Sequence, residues 1–405
     1  MPLLTGAGRQ GPSTAAVQTR IRLESIDLLR GVVMILMTLD HVRDFFGASV
    51  NPTDPAQATV PLFFTRWVTH LCAPTFFLLT GTGAYLARQR RTTKDLSQWL
   101  LTRGLWLIVL ELTAFRCLGY QFNFDYRVTM LLILWALGWS MITLSALVHL
   151  PLAAVTAFGI VLIATHNLFD SVPASSFGTF APLWSMLHAP NVIVADPNHV
   201  VFVAYPLVPW IGVTAAGYGL GQVFGWAPAR RRHFLLRLGA GLTAAFTILR
   251  LVNVYGDPIR WTSQQFGVRT VLSFLNTNKY PPSLLYLLMT LGPAILILWM
   301  VDTGTPRIFR PALVLGRVPL FYFLLHMPLI HLLALIVCYV RYGEVHWMFE
   351  SARLDQFPMA RPPGWGYSLP VVYMVWIGVV LALYPVCRWF GTLKQRRDDL
   401  WLTYL

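Results

Sequence analysis

The sequence predicts an all-α, polytopic membrane helix bundle of about ten transmembrane helices with both termini cytoplasmic. Three observations carry this. Only 12% of the 405 residues are charged, where a soluble domain averages about 25%. Apolar runs of about 20 residues recur along the chain, the length that crosses a hydrocarbon core about 30 Å thick. Between the runs, lysine and arginine gather in alternate connections, the bias that fixes membrane orientation. Backbone groups in lipid must be satisfied within the structure, so only helices or closed barrels span it. The runs are too long and too uniformly apolar for barrel strands, which alternate.

Taken in order, the expected spans are 25–47, 61–87, 100–119, 129–148, 150–168, 201–225, 236–254, 283–303, 316–341 and 369–388. With the first span leaving the cytoplasm, the inner connections hold "ARQRR" with Lys94, "ARRRHFLLR", "RIFR" and the tail "LKQRRDD". The outer connections 48–60 and 169–200 contain no lysine or arginine. The net charge of +14 therefore reads as membrane orientation, with no nucleic-acid partner. Residues 1–24 are expected as a disordered cytoplasmic tail, 25–388 as one transmembrane domain and 389–405 as a basic cytoplasmic tail. No small-residue cleavage site follows the first apolar run, which is read as a retained helix. Cys72, Cys117, Cys338 and Cys387 lie in or beside apolar spans without metal-ligand spacing and read as small hydrophobes.

The first span carries ionisable residues that cost roughly 2.5–3.5 kcal/mol each at a helix centre, which marks them as functional candidates. Asp27 and Arg30 are spaced to pair near the inner end, Asp40 and Arg43 near the outer end. Arg30 and His41 stand three turns apart on one face, roughly 16 Å along the axis. That stripe suits a carrier with an anionic head at the cytoplasmic face and a reactive end reaching across, as in an acyl-CoA. Arg30 would hold the phosphorylated head. His41 would be the general base on an acceptor hydroxyl or amine, with Asp40 influencing its charge or position.

The second span returns through "RWVTHLCAPTFFLLTGTGAY". His70 matches His41 in depth, so the hairpin is expected to bring the two imidazoles together, with Pro74 kinking the helix and Gly81 and Gly83 permitting close packing. In "LGRVPLFYFLLHMPLIHLL", Arg317 caps the inner end. His326 and His331 point about 140° apart, and His326 is the one expected to face the cavity. Glu111 is expected to pair with a basic residue, its role structural or catalytic. His166 is read as an interfacial residue, and no metal site is expected. The long outer segments 169–200, 255–282 and 342–368 are rich in Pro, Asn, Trp and His. They stand either as solvated connectors or as a substrate-binding lid.

Four segments carry a resemblance: "RLESIDLLRGVVMILMTLDHVRDFF", "CAPTFFLLTGTGAYL", "LNTNKYPPSLLYLLMTLGP" and "LGRVPLFYFLLH". Together they resemble the bacterial branch of the heparan-α-glucosaminide N-acetyltransferase family, multi-pass membrane acyltransferases. The resemblance spans roughly residues 22–390. It implies transfer of an acetyl group from cytoplasmic acetyl-CoA, the co-substrate, to an amine or hydroxyl of an extracytoplasmic saccharide acceptor. It also implies a homodimer in the bilayer of a bacterial inner membrane. Ser25, Asp27 and Arg30 match the family's first-helix motif, with Asp27, Arg30, Arg317 and His326 expected on the acyl-CoA side. Asn276, Asn278, Lys279, Tyr280 and Ser283 match the outer segment expected to bind substrate. Lysosomal members have a luminal histidine soon after the first helix, whereas "ASVNPTDPAQATV" here has none. Direct transfer with His41 as base is therefore expected, in place of an acetyl-histidine intermediate. The competing expectation is a secondary transporter of a sugar or lipid-linked saccharide, in which the buried His, Asp and Glu would relay protons.

Overall fold

A computed structural model describes residues 14–54, 57–196, 199–350, 360–397 and 399–404. Fourteen α-helices, one small sheet and short 3-10 and π-helical stretches make up the regular structure of these residues. In order they are α1 Thr14–Phe46, α2 Val60–Thr69, α3 Cys72–Arg88, α4 Thr93–Leu110, β1 Val128–Leu131, α5 Ile133–Leu147 and α6 Leu152–Thr165. There follow α7 Ala181–Leu187, β2 Asn191–Asp196, β3 His199–Val203, α8 Leu207–Leu220, α9 Pro228–Val252 and α10 Gly267–Leu275. The last are α11 Leu284–Val301, α12 Arg310–Gly316, α13 Pro319–Tyr342 and α14 Leu369–Arg396.

Among the described residues, six stretches are long and apolar enough to cross a membrane: Val60–Arg88, Leu152–Phe169, Pro228–Val252, Leu284–Val301, Pro319–Tyr342 and Leu369–Arg396. The chain is a helical integral membrane protein. The remaining expected spans also coincide with helices, but each departs from a plain apolar rod. α1 carries too many charges and begins at Thr14, well before the onset expected at 25. The third continues from α4 into a π-helical stretch, Glu111–Tyr120. The fourth and sixth are corrected at their starts, where strands β1 and β3 precede α5 and α8.

Local chemistry explains the boundaries. Side chains of Thr59, Thr92 and Ser283 accept backbone N–H bonds at the starts of α2, α4 and α11, satisfying donors a helix end leaves open. The second span breaks at His70–Leu71, between α2 and α3. Pro74 has no N–H to give to the His70 carbonyl four residues earlier, and that carbonyl instead accepts the Tyr286 hydroxyl at 2.9 Å.

Two close helix approaches hold the bundle together. A Cβ on Gly31 would sit 1.8 Å from the Ala312 carbonyl oxygen, and one on Gly316 1.8 Å from that of Asp27. Only glycine lets α1 and α12 pack at this distance. Beside α1, α3 packs along α8, with Phe77 stacked on the fully buried Trp210 at 4.5 Å. The sheet has the order β1-β3-β2, with Val128 opposite Val200 in the parallel pair and Val192 opposite Phe202 in the antiparallel one. It brings distant parts of the chain over one end of the bundle, the end where α1 terminates.

Candidate active site

Two adjoining cavities lie along the middle of α1. The distal one, toward its C-terminal end, has a volume of about 520 Å³; the proximal one has about 440 Å³. Asp40, His41, Arg66, Lys279 and Tyr280 line the first, Arg30, Gly83, Trp99 and Arg103 the second. Phe76, Ile133 and Phe323 line both, so the cavities are separated by an apolar constriction of three side chains.

In the distal cavity, Asp40 is held by three donors. Arg66 of α2 approaches its two oxygens at 2.7 and 2.5 Å, Thr69 donates at 2.9 Å, and Arg43 lies 3.0 Å away on α1. The expected Asp40–Arg43 pair is present, but Arg66 makes the stronger, two-oxygen contact. Asp40 is thereby fully occupied as an anion between cations, and it does not bond to His41.

His41 is instead bonded to His326 of α13, Nδ1 to Nε2 at 2.6 Å, with the rings stacked at 4.9 Å. The other ring nitrogen of His326, Nδ1, lies 2.6 Å from the Phe323 carbonyl oxygen. A carbonyl only accepts, so His326 carries its proton on Nδ1 and presents Nε2 as an acceptor. His41 must then donate from Nδ1, which leaves its Nε2 as the nitrogen with a free lone pair. The hydrogen-bond chain thus sets the tautomer a general base needs, on a ring that lines the cavity.

His70 does not join this pair. It is buried edge-on to Tyr286 at 5.3 Å and is absent from the cavity lining. His326, expected on the acyl-CoA side, takes the place expected for His70. His331 points elsewhere, between the carbonyls of Gly119 and Met348 and stacked on Phe122.

At the proximal end Arg30 pairs with Asp27 at 3.0 Å, as its spacing indicated. A methyl group on Gly83 would stand 3.4 Å from the Arg30 guanidinium, so the small residue keeps room beside the cation. Arg103 of α4 joins it in the cavity wall, its guanidinium 4.5 Å from the Trp99 ring. Arg317 is not in that wall; it is half-exposed, 3.7 Å from Glu24. Ser25 is buried within α1.

Of the five residues in the 276–283 segment, Lys279 and Tyr280 reach the distal cavity. The other three are held by the framework around Asp257. Ser283 donates to that carboxylate at 2.6 Å and the Asn278 backbone N–H at 2.9 Å, while Arg250 bonds the Asn276 carbonyl at 2.6 Å. Burial pushes the Asp257 carboxyl above its ordinary range, against the pull of its donors Ser283, Asn278 and Ile259. Of the long outer segments, 169–200 contributes Val192 to the cavity and 255–282 contributes Lys279 and Tyr280. In 342–368, Trp365 and Arg361 bond backbone carbonyls at the end of α1, while residues 351–359 lie outside the described structure. The described parts of these segments pack onto the bundle.

The expectation for Glu111 is also corrected. Among the described residues it pairs with no basic side chain; its carboxylate accepts the backbone N–H groups of Leu134 and Trp135 at 2.8 and 3.3 Å. These are open donors at the start of α5, where a carboxylate is favoured by the helix dipole. Sequence reasoning also passed over Arg66 and Arg103. Both sit in otherwise apolar helical stretches, and that was the available signal.

Among the comparisons with known proteins, the family model described as heparan-alpha-glucosaminide N-acetyltransferase, catalytic, matches residues 22–251. The matched range includes Arg30, His41, Arg66 and Arg103 and ends before α10. No curated protein matches the chain. On a match that covers more than half its length, with the cavity-lining imidazole and cations of α1 inside it, this chain belongs to the heparan-alpha-glucosaminide N-acetyltransferase catalytic family.

Proposed function

We propose that the protein transfers an acetyl group from cytoplasmic acetyl-CoA, through the bundle, to an amine or hydroxyl of a saccharide on the opposite side. The single observation that carries this reading is the His41–His326–Phe323 hydrogen-bond chain at the inner wall of the distal cavity. It leaves an imidazole lone pair in a cavity next to one lined by arginines. Arg30 and Arg103 suit the anionic head of the co-substrate, since guanidinium groups bind phosphate with paired, charge-assisted bonds. The pantetheine arm would pass Phe76, Ile133 and Phe323, and the thioester would meet the acceptor beside His41.

The step is direct. The acceptor nitrogen or oxygen attacks the thioester carbonyl carbon, His41 Nε2 takes the acceptor's proton, and the carbon–sulfur bond breaks. Coenzyme A leaves as a thiolate and then receives that proton from His41. Lys279, at the distal wall, offers a positive charge to the oxygen that becomes negative in the tetrahedral intermediate. Asp40, tied to Arg66 and Arg43, keeps this cluster of cations neutralised and in place.

The orientation that serves this reaction has ten crossings: α1, α2 with α3, α4 with its π-helical extension, α5, α6, α8, α9, α11, α13 and α14. Both termini then face the cytoplasm, and the arginine-rich connections support that side. A homodimer in a bacterial inner membrane belongs to the same reading.

The test is release of free thiol from acetyl-CoA by detergent-purified protein given glucosamine as acceptor. The reading expects acceptor-dependent release that His41→Ala removes while acetyl-CoA still binds. Release unaffected by His41→Ala would remove that residue from the base role.

A further inference from the structure

Away from the two cavities, three side chains converge where α6 ends. His166 lies in the single 3-10 turn His166–Phe169 that follows α6, Asp170 caps that turn, and His188 ends α7. One ligand atom from each, two imidazole nitrogens and a carboxylate oxygen, lie within 4.8 Å of one another. His166 and His188 are 2% and 3% exposed.

The imidazole nitrogens here are largely left without hydrogen bonds to the protein. Neither ring nitrogen of His166 has a hydrogen-bond partner, nor does Nε2 of His188. Buried polar atoms left this way are costly, and here they are on two rings packed edge to face with centroids 5.8 Å apart. The Asp170 Oδ1 stands 3.3 Å from His188 Nε2, close to the separation of about 3.4 Å between ligands on a tetrahedral zinc ion with bonds near 2.1 Å. The other oxygen, Oδ2, accepts from the Asn167 side-chain amide at 2.8 Å, and Oδ1 of the same amide accepts from the Leu284 N–H at 2.8 Å. The carboxylate is therefore oriented by a residue itself fixed to the start of α11, the arrangement that metal-binding carboxylates adopt.

We propose that His166, Asp170 and His188 bind a zinc-class divalent cation. Two neutral imidazoles and one carboxylate suit zinc, and the fourth position would be left to water. Binding requires the His166 ring to move toward the other two, since its present separation exceeds a tetrahedral edge. The role is structural. The cation joins the end of α6 to the end of α7, and β2, which contributes Val192 to the distal cavity wall, begins three residues after His188. It thus anchors a wall of that cavity without entering it. The sequence hid the group because His188 stands far from His166 along the chain, outside any compact ligand motif.

The test uses tag-free, full-length protein in detergent, stripped with chelator and titrated with Zn²⁺ and with Co²⁺. The site predicts one tightly held zinc per chain, Co²⁺ absorption bands of tetrahedral type, and a higher Tm with Zn²⁺. Asp170→Asn and His188→Gln should each weaken Zn²⁺ binding by more than about 10–100-fold, the loss that even outer partners of a ligand cause. Should the histidine variant not fold, Asp170→Asn carries the comparison, because its side chain is partly at the surface. Zinc binding equal in wild type and Asp170→Asn, or Co²⁺ without those bands, overturns the site. These readouts do not involve acetyl transfer, so they stand or fall apart from it.

Discussion

The Nδ1 of His41 and the Nε2 of His326 are 2.6 Å apart, and the far side of His326 is tied to a carbonyl. One ring therefore orients the other, as the third member of a catalytic triad orients its histidine. His41→Ala should lower the transfer rate about 10²–10⁴-fold, the usual contribution of a general base. His326→Gln can still accept from His41 and donate to Phe323, so it should retain more activity than His326→Leu. Steady-state rates of both variants check this; equal losses would show that His326 only fills space.

The Asp40–Arg66 pair is buried on both sides, with each side chain 11% exposed. Arg66→Ala leaves the carboxylate with Arg43 and Thr69 alone and should cost about 3–5 kcal/mol, the penalty for breaking a buried pair. Thermal unfolding in detergent measures it. A double variant, Arg66→Leu with Asp40→Leu, should lose less than the sum of its single variants, since neither charge is then stranded.

The constriction of Phe76, Ile133 and Phe323 is the only wall shared by the two cavities among the described residues. Ile133→Trp should close it. Coenzyme A should still bind at the proximal end, while acetyl transfer falls to background. Overpacking there costs about 1–3 kcal/mol, so unfolding midpoints should accompany the binding and rate measurements.

Much of α1 was legible because helical spacing is a strong constraint. The pairs Asp27–Arg30 and Asp40–Arg43 both form. His326 and His331 point apart, so only one can face a cavity, and the preferred His326, the nearer to mid-membrane, is the one that meets His41. Long-range partners were not legible: nothing in the order of residues says that Arg66 meets Asp40 or that His326 displaces His70. The strands were hidden for another reason. β1 and β3 overlap the starts of expected apolar spans, where a short buried strand has no periodicity to set it apart from a buried helix, and β2 falls in the outer connection 169–200.

Glu111 illustrates the cost of that ambiguity. Once β1 interrupts the apolar run, α5 starts inside the bundle and its first N–H groups need an acceptor. Glu111→Leu should leave them without one and destabilise the protein by about 1–3 kcal/mol. Glu111→Gln, which keeps an acceptor oxygen, should cost less. Unfolding midpoints of the two variants decide it.

Arg30 should act on binding and not on chemistry. Losing one charge-assisted contact of about 1.5–3 kcal/mol should weaken coenzyme A affinity of Arg30→Ala roughly 10–100-fold, with a smaller change in the rate at saturation. Equilibrium binding set beside saturating rates separates the two effects.

The most direct measurement uses sealed vesicles with the protein in one orientation, acetyl-labelled acetyl-CoA on the cytoplasmic face and saccharide acceptor only on the other. The account predicts labelled acceptor on the far side, coenzyme A remaining where it was added, and no product with His41→Ala. Product formed only when donor and acceptor share a face, or passage of the saccharide itself without acetylation, would contradict it.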